Sequence, residues 1–310
     1  MKKIVMLERD NIGEDVDLSC FENLGDLTIY GTTPYEQVVE RIGDADVLVI
    51  NKIPMNEATL KDAQNVKLIC VTATGTDNVD MAYCESRGIV VKNVRSYSTE
   101  SVVQHTFAMY FYISEKLRFY DDYVKSGEYI NCPRFTYFGE QFHELCGKTW
   151  GIVGLGEIGA RVANIAKAFG CKVIYYSTSG KNNNDAYERV DFDTLLGTSD
   201  IISVHAPLTE QTKHLFTYDA FTKMKSSAYL INVGRGPIVK ESDLCRALNE
   251  NLIAGAGLDV LEKEPMSADN PLFSIKRASR RKSLSGKTTS LLLQKTFKHF
   301  KIFHTFIFLL

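Results

Sequence analysis

No two cysteines in this chain stand as C-x-x-C, and the seven present are scattered and odd in number. A disulfide framework is therefore not expected, and the thiols read as buried groups in a reducing compartment. No His/Cys/Asp cluster has the spacing of metal ligands, so no metal is expected either. Long apolar runs are also missing. The opening MKKIVMLERD reaches Glu8, Arg9 and Asp10 too soon for a signal peptide and reads as a first β-strand. The closing IFHTFIFLL is apolar over only about nine residues, too short to span a bilayer. The expected setting is cytoplasmic, with no membrane partner.

Net charge is small. Over 310 residues it is -2, with 45% hydrophobic and 24% charged residues. These are the proportions of a soluble globular protein, and they argue against nucleic acid or an anionic membrane as partner. The balance is uneven along the chain, however. Nine Lys/Arg and no acid lie between Lys276 and Leu310. Removing those nine charges from the total leaves about -11 on residues 1–275.

What is present is alternation. KIVMLE, LTIYG, ADVLVIN, VKLICVTA and GIVVKNV are short β-branched or apolar runs, separated by helix-like stretches such as YEQVVERIGD and MAYCESRG. From KTWGIVGLG the alternation restarts with KVIYYS, DIISVHAP, AYLINVG and IAGAGLDV. The expected class is α/β, with two Rossmann-like or flavodoxin-like parallel-sheet domains. The length suits two domains. Between them, Ser98–Ser101 predicts a helix start. Val102, Val103, Phe107, Tyr110, Phe111 and Ser114 recur at helical spacing, and Gly127 ends the run. One long connector helix is expected there. After Ile275 the apolar periodicity stops, and no further domain element is expected.

Gly154-x-Gly156-x-x-Gly159 follows the strand TWGIV and opens an amphipathic helix. In that setting the spacing points to a dinucleotide site. Gly154 permits the tight turn, Gly156 lets backbone approach a pyrophosphate, and Gly159 lets helix and strand pack closely. An acid about 20 residues on would hold the ribose diol of NAD. Ser177 stands there instead, followed by Thr178 and Lys181, so the expected cofactor is NAD or NADP with a lean to NADP. Arg235, between Gly234 and Gly236 at a strand end, can pair bidentately with a carboxylate. Asp259 ends another strand, and Glu264 stands immediately before Pro265.

Over roughly residues 1–275, NVRSYSTESVVQHTFAM, GKTWGIVGLGEIG, VHAPLTEQTKHLF, LINVGRGPIV and GLDVLEKEP resemble, in order, the signatures of the D-isomer-specific 2-hydroxyacid dehydrogenases. The branch they resemble is that of the glycerate dehydrogenases and hydroxypyruvate or glyoxylate reductases. The resemblance implies a substrate-binding domain over 1–98 and an NAD(P)-binding Rossmann domain with the connector helix over 99–275. It implies hydride transfer between NAD(P)H and a small 2-oxo acid. Thr74 and Gly75 would bind the substrate carboxylate through backbone N–H groups, and Arg235 would clamp the 2-oxo acid. Glu157, Ile158, Ala206, Pro207, Thr212, Val233, Gly234 and Arg235 would line the cofactor with the three glycines, Ser177 and Thr178. Asp259 would meet its nicotinamide end. Glu264 would hydrogen-bond a catalytic histidine and raise its pKa. A homodimer formed through the cofactor domain is implied by the same analogy.

The family places that histidine in a P-H-x-x-[WG] segment some 20 to 35 residues after the Glu264 position, followed by a helix returning to the first domain. Here no histidine lies between His214 and His299. Neither His299 nor His304 has that setting, and His205 matches a strand end with a structural role. Residues 276–310 read as an atypical basic and apolar tail, with the return helix missing. A shift of reading frame near Ile275–Arg277 would produce such a tail. The expectation is a dehydrogenase lineage with impaired activity. The alternative is an NAD(P)-binding non-catalytic protein, a pseudoenzyme or a dinucleotide-sensing, corepressor-like one.

Overall fold

A computed structural model describes residues 1–13, 16–275 and 290–293. The chain forms two compact units, divided between Ser98 and Thr99. The frame-shift reading, the missing return helix, His299 and His304 lie outside the described residues.

The first unit holds five parallel strands: β1 (Lys2–Met6), β2 (Gly25–Ile29), β3 (Val47–Ile50), β4 (Leu68–Val71) and β5 (Val90–Asn93). Their order is β2-β1-β3-β4-β5, the flavodoxin-like arrangement. Burial follows position in the sheet. All four residues of the central β3 are buried, whereas the edge strands β2 and β5 are largely uncovered. Successive side chains feed two separate cores. Ile4, Met6, Val47, Val49 and Cys70 join Phe21 and Val94 on one face. Val5, Leu48, Ile50, Ile69 and Val71 join Met55, Leu60 and Ile89 on the other.

Polar groups fix the strand ends. The buried Glu8 carboxylate accepts backbone N–H bonds from Asn51 (2.6 Å), Lys52 (2.8 Å) and Ile53 (3.0 Å) just past β3. The buried Asn51 amide donates to Thr72 Oγ1 at 2.8 Å beyond β4. The next loop carries Thr74 and Gly75. Its Thr74 carbonyl accepts from Asn93 Nδ2 at 2.5 Å.

The second unit holds β6 (Thr149–Val153), β7 (Lys172–Tyr176), β8 (Glu188–Arg189), β9 (Ile201–Val204), β10 (Tyr229–Asn232), β11 (Gly255–Leu258) and β12 (Ser290–Leu293). They form one parallel sheet in the order β12-β11-β10-β9-β6-β7-β8. From β6 the chain runs outward to β7 and β8, then returns to the other side through β9. That reversal makes the crevice outside the carboxyl ends of β6 and β9 the place where such sheets bind ligands. The Gly-rich turn stands at one of those ends and Ala206–Pro207 at the other.

Two local expectations change. The long helix is two: Thr99–Ser114, then Leu117–Lys125, with Lys116 between them in the left-handed region at φ 56°. The first is a core helix of the second unit. Phe107 and Tyr110 pack on Trp150, with ring centroids 4.9 and 5.4 Å away. The second change is β12, which extends the sheet by pairing Ser290–Leu293 with Gly255–Leu258. A sequence pattern that had stopped at Ile275 gave no sign of that strand.

Candidate functional site

The Gly-rich turn is built by close approach. Gly154 has φ 89°, and a methyl group there would lie 2.9 Å from the backbone of Ala206. At Gly159 a methyl would meet the Gly154 carbonyl at 2.3 Å, so helix Glu157–Ala168 can sit on the turn only without a side chain. Gly156 differs. It is exposed and caps that helix, and among the described residues nothing lies within 4 Å of where a methyl would stand. Its missing side chain therefore serves no contact within the protein and leaves open the approach to a helix N-terminus, where backbone N–H groups favour an anion.

Gly156→Ala is accordingly expected to leave the unfolding midpoint within experimental error while weakening NAD(P)H binding about tenfold or more, at ~1.4 kcal/mol per decade. Fluorescence titration beside a urea melt checks this. A parallel loss of stability would contradict the assignment.

Around that helix start, Glu157 is exposed and accepts from Thr99 Oγ1 at 2.7 Å, which ties it to the first turn of helix Thr99–Ser114. Ile158 is half-buried beside it. Past β7, Ser177 is buried, and its hydroxyl accepts from Asn182 N at 3.3 Å. It holds its own loop closed. Thr178 is half-buried, and Lys181 is exposed on the same loop. Arg189 of β8 adds a second cation through a 2.7 Å bond to Asn183.

Past β9, Ala206 is buried and Pro207 exposed. The buried Thr212 hydroxyl donates to the Pro207 carbonyl at 2.7 Å, fixing the loop. His205 belongs to a structural network. Its Nε2 stands 2.9 Å from Ser203 Oγ, which also accepts from Trp150 Nε1 at 2.8 Å. Burial pushes the imidazole pKa down to about 3.

Past β10, Val233 and Gly234 are buried and Arg235 is half-buried. The residue that builds this turn is Asn232, fully buried at the strand end. Its amide donates to the Arg235 carbonyl at 3.0 Å and accepts from Gly234 N at 3.1 Å, while its own carbonyl accepts from Asp259 N at 3.0 Å. One residue thus ties the backbone of both Arg235 and Asp259, the first through its side chain and the second through its carbonyl. A polar residue closing the apolar run AYLIN was the available signal for it. The Arg235 guanidinium donates to the Gly234 carbonyl at 3.0 Å.

Glu264 is exposed and accepts from Leu261 N at 3.1 Å. In this turn the carboxylate that faces an imidazole is Glu262, 2.7 Å from His214 Nε2. Glu262 also accepts from Glu241 N at 2.9 Å and donates its own N–H to the buried Glu241 carboxylate at 2.6 Å. This clasp fastens the segment carrying Asp259 and Glu264 to helix Glu241–Asn249. The structure therefore gathers Gly154, Ala206, Gly234, Arg235 and Asp259 at the carboxyl ends of four neighbouring strands. Thr74 and Gly75 lie in the first unit.

Residues 107–280 match the family model described as the NAD binding domain of D-isomer specific 2-hydroxyacid dehydrogenases. Glycerate dehydrogenase of Methylorubrum extorquens is 37% identical over 272 residues, covering 87% of this chain and 84% of that one. Hydroxypyruvate reductase of Blautia hydrogenotrophica is 36% identical over 282 residues, covering 88% and 87%. Among solved structures, an acyclic imino acid reductase in complex with NADPH and D-Arg superposes with a TM-score of 0.81 at 27% identity, covering 94% of this chain and 88% of that one. The chain belongs to the D-isomer-specific 2-hydroxyacid dehydrogenase family, and by family it is an NAD(P)-dependent oxidoreductase.

Proposed function

We propose that this chain reduces a small 2-oxo acid, of the hydroxypyruvate or glyoxylate kind, to the 2-hydroxy acid. The observation that carries the reading is the turn built by Asn232, which ties the backbone of both Arg235 and Asp259 at the carboxyl ends of neighbouring strands, on the same edge of the sheet as the Gly-rich turn. When bound, NAD(P)H supplies the hydride. Gly154, Gly156, Ile158, Gly159, Ala206, Pro207, Thr212, Val233 and Gly234 would hold it, with Glu157 tied aside by Thr99. The guanidinium of Arg235 offers a planar fork matched to a carboxylate. Its positive charge also favours the oxygen on which negative charge develops. Thr74 and Gly75 are proposed as backbone donors to the substrate carboxylate.

NADP is the proposed cofactor. Past β7, Thr178, Lys181 and Arg189 offer hydroxyl and positive charge, with no carboxylate where a 2′-phosphate would be repelled. A cytoplasmic setting belongs to the same proposal, since it keeps free thiols such as Cys70, Cys84 and Cys171 reduced.

Oxidation of NADPH by purified protein tests the reading. It should depend on added glyoxylate or hydroxypyruvate, exceed oxidation of NADH, and fall by about 10²–10³ in Arg235→Ala. An unchanged rate in that variant removes Arg235 from the reaction.

The proton needed at the new hydroxyl is the weak point of this chain. No histidine lies between His214 and His299, so the stretch of sequence in which the family carries its proton donor has none. Loss of a general acid costs about 10²–10⁴ in rate, and impaired turnover is part of the proposal. The same observation favours a second reading, a dinucleotide-binding protein without catalysis. Tight NADPH binding with no turnover on any 2-oxo acid would select it. Translation of the DNA around residues 270–310 in all three forward frames separates a shifted frame, with a Pro-His segment in another frame, from a genuine tail.

A homodimer is proposed through residues 128–142 of the second unit. Ile130, Phe135 and Phe138 there are 85%, 93% and 79% exposed. Arg134 and Glu128 place both signs of charge in the same segment, as a self-complementary two-fold contact requires. Sedimentation should show a dimer for the parent and a monomer for Phe135→Asp. A parent that sediments as a monomer removes the proposal.

A further inference from the structure

His105 lies in helix Thr99–Ser114, and the reading above gives it no task. Its ring is buried, and its Nε2 is a buried atom without a hydrogen-bond partner among the described residues. That nitrogen stands 3.5 Å from Oδ1 of Asp259, and each of the two side chains is 9% exposed. An unpaired buried ring nitrogen costs stability, so its aim at a carboxylate needs an explanation.

The approach is set by a neighbouring pair. One turn further along the helix, Met109 packs over Gly257, where an added methyl would stand 2.9 Å from the Met109 terminal carbon. The bare backbone at Gly257 leaves room there for the Met109 side chain, whose β-carbon would lie 3.5 Å from the added methyl, so the helix packs closely on β11. The same seating brings His105 to Asp259, two residues on and just past the end of β11. The separation is long for a hydrogen bond. Such contacts often tighten when a ligand is seated.

We propose that His105 is a positioning residue. Its Nε2–H, the tautomer dictated by the carboxylate it faces, holds the Asp259 side chain in the orientation that meets the nicotinamide end of the cofactor. This rests on the reading above that Asp259 meets that end. His105 then contributes to binding only through the nicotinamide half. The adenosine half is held by the turn after β6 and the loop after β7.

The test uses the full chain and two ligands, NADPH and 2′-phospho-ADP-ribose, which lacks the nicotinamide ring. His105→Leu is expected to weaken NADPH about tenfold, the scale of a bond to a charged group, and to leave the fragment within about twofold. His105→Gln, whose amide N–H reaches about as far as Nε2, should recover most of the loss. A merely structural role would weaken both ligands together, would show no recovery with Gln, and would overturn the proposal. If His105→Leu does not fold, His105→Asn, polar but too short, makes the same comparison.

Asp259→Asn separates the two levels of inference. If it leaves the ratio of the two affinities unchanged, the placement of Asp259 at the nicotinamide fails, and the role of His105 fails with it. If it changes the ratio while His105→Leu does not, only the role of His105 fails.

Discussion

Gly236→Ala is expected to unfold the second unit or to lower its stability by about 3 kcal/mol or more, at the severe end for an overpacked site. A methyl group at Gly236 would stand 1.8 Å from the Leu261 carbonyl oxygen, 2.0 Å from its carbon and 2.6 Å from Glu262 N. All three are backbone atoms, so no side-chain rotation relieves them. Retreat is blocked on the other side. The Pro237 and Ile238 carbonyls accept from His214 N at 2.7 Å and Phe216 N at 3.1 Å. Separation would break the exchange between Glu241 and Glu262 and disturb the turn that carries Arg235. Urea unfolding with NADPH titration checks this, and a variant within about 0.5 kcal/mol of the parent would refute it. Gly156→Ala is the control, because its methyl meets open space.

Acid should destabilise the second unit through His205. The folded imidazole titrates near 3 because burial disfavours its charged form, whereas the unfolded side chain titrates near 6.5. Above pH 6.5 both states are neutral and the group contributes no slope. Between 6.5 and about 3 only the unfolded chain takes the proton, so stability falls as pH falls. The slope approaches about 1.4 kcal/mol per pH unit, with an upper bound of roughly 4–5 kcal/mol across the window. Carboxylates titrate in the same range, so the readout is a difference. His205→Asn cannot take up the proton, and its stability relative to the parent should improve by about 2–3 kcal/mol between pH 7 and pH 4.5. The chain's one tryptophan, bonded to the same Ser203 hydroxyl, reports the transition by fluorescence. A pH-independent difference between the two proteins would contradict the assignment.

Much of this was legible in the chain. Short β-branched runs gave strands because parallel sheets bury both faces, and Gly154-x-Gly156-x-x-Gly159 stood where a strand hands over to a helix. Other features depend on contacts that no local pattern encodes. SEKL contains no Gly or Pro, yet Lys116 turns left-handed and divides the helix. In EKEP two carboxylates stand two residues apart, and only the folded turn decides that Glu262 faces His214 while Glu264 turns back to Leu261. His105 reads as one more position on a buried helix face, because its partner is more than 150 residues away.

The complete burial of β3 has a consequence for how the first unit finds its alignment. A strand apolar on both faces loses little when it slides by one residue, since every side chain it presents still suits the core it enters. Val47–Ile50 cannot by itself say which alignment is correct. That information resides in the polar pins just beyond it. Slippage would draw the N–H groups of Asn51, Lys52 and Ile53 off the Glu8 carboxylate and the Asn51 amide off Thr72, leaving buried donors and a buried charge unmatched. Replacing Glu8 and Asn51 by apolar residues would thus keep an oily sheet while erasing the mark that tells its central strand where to stop.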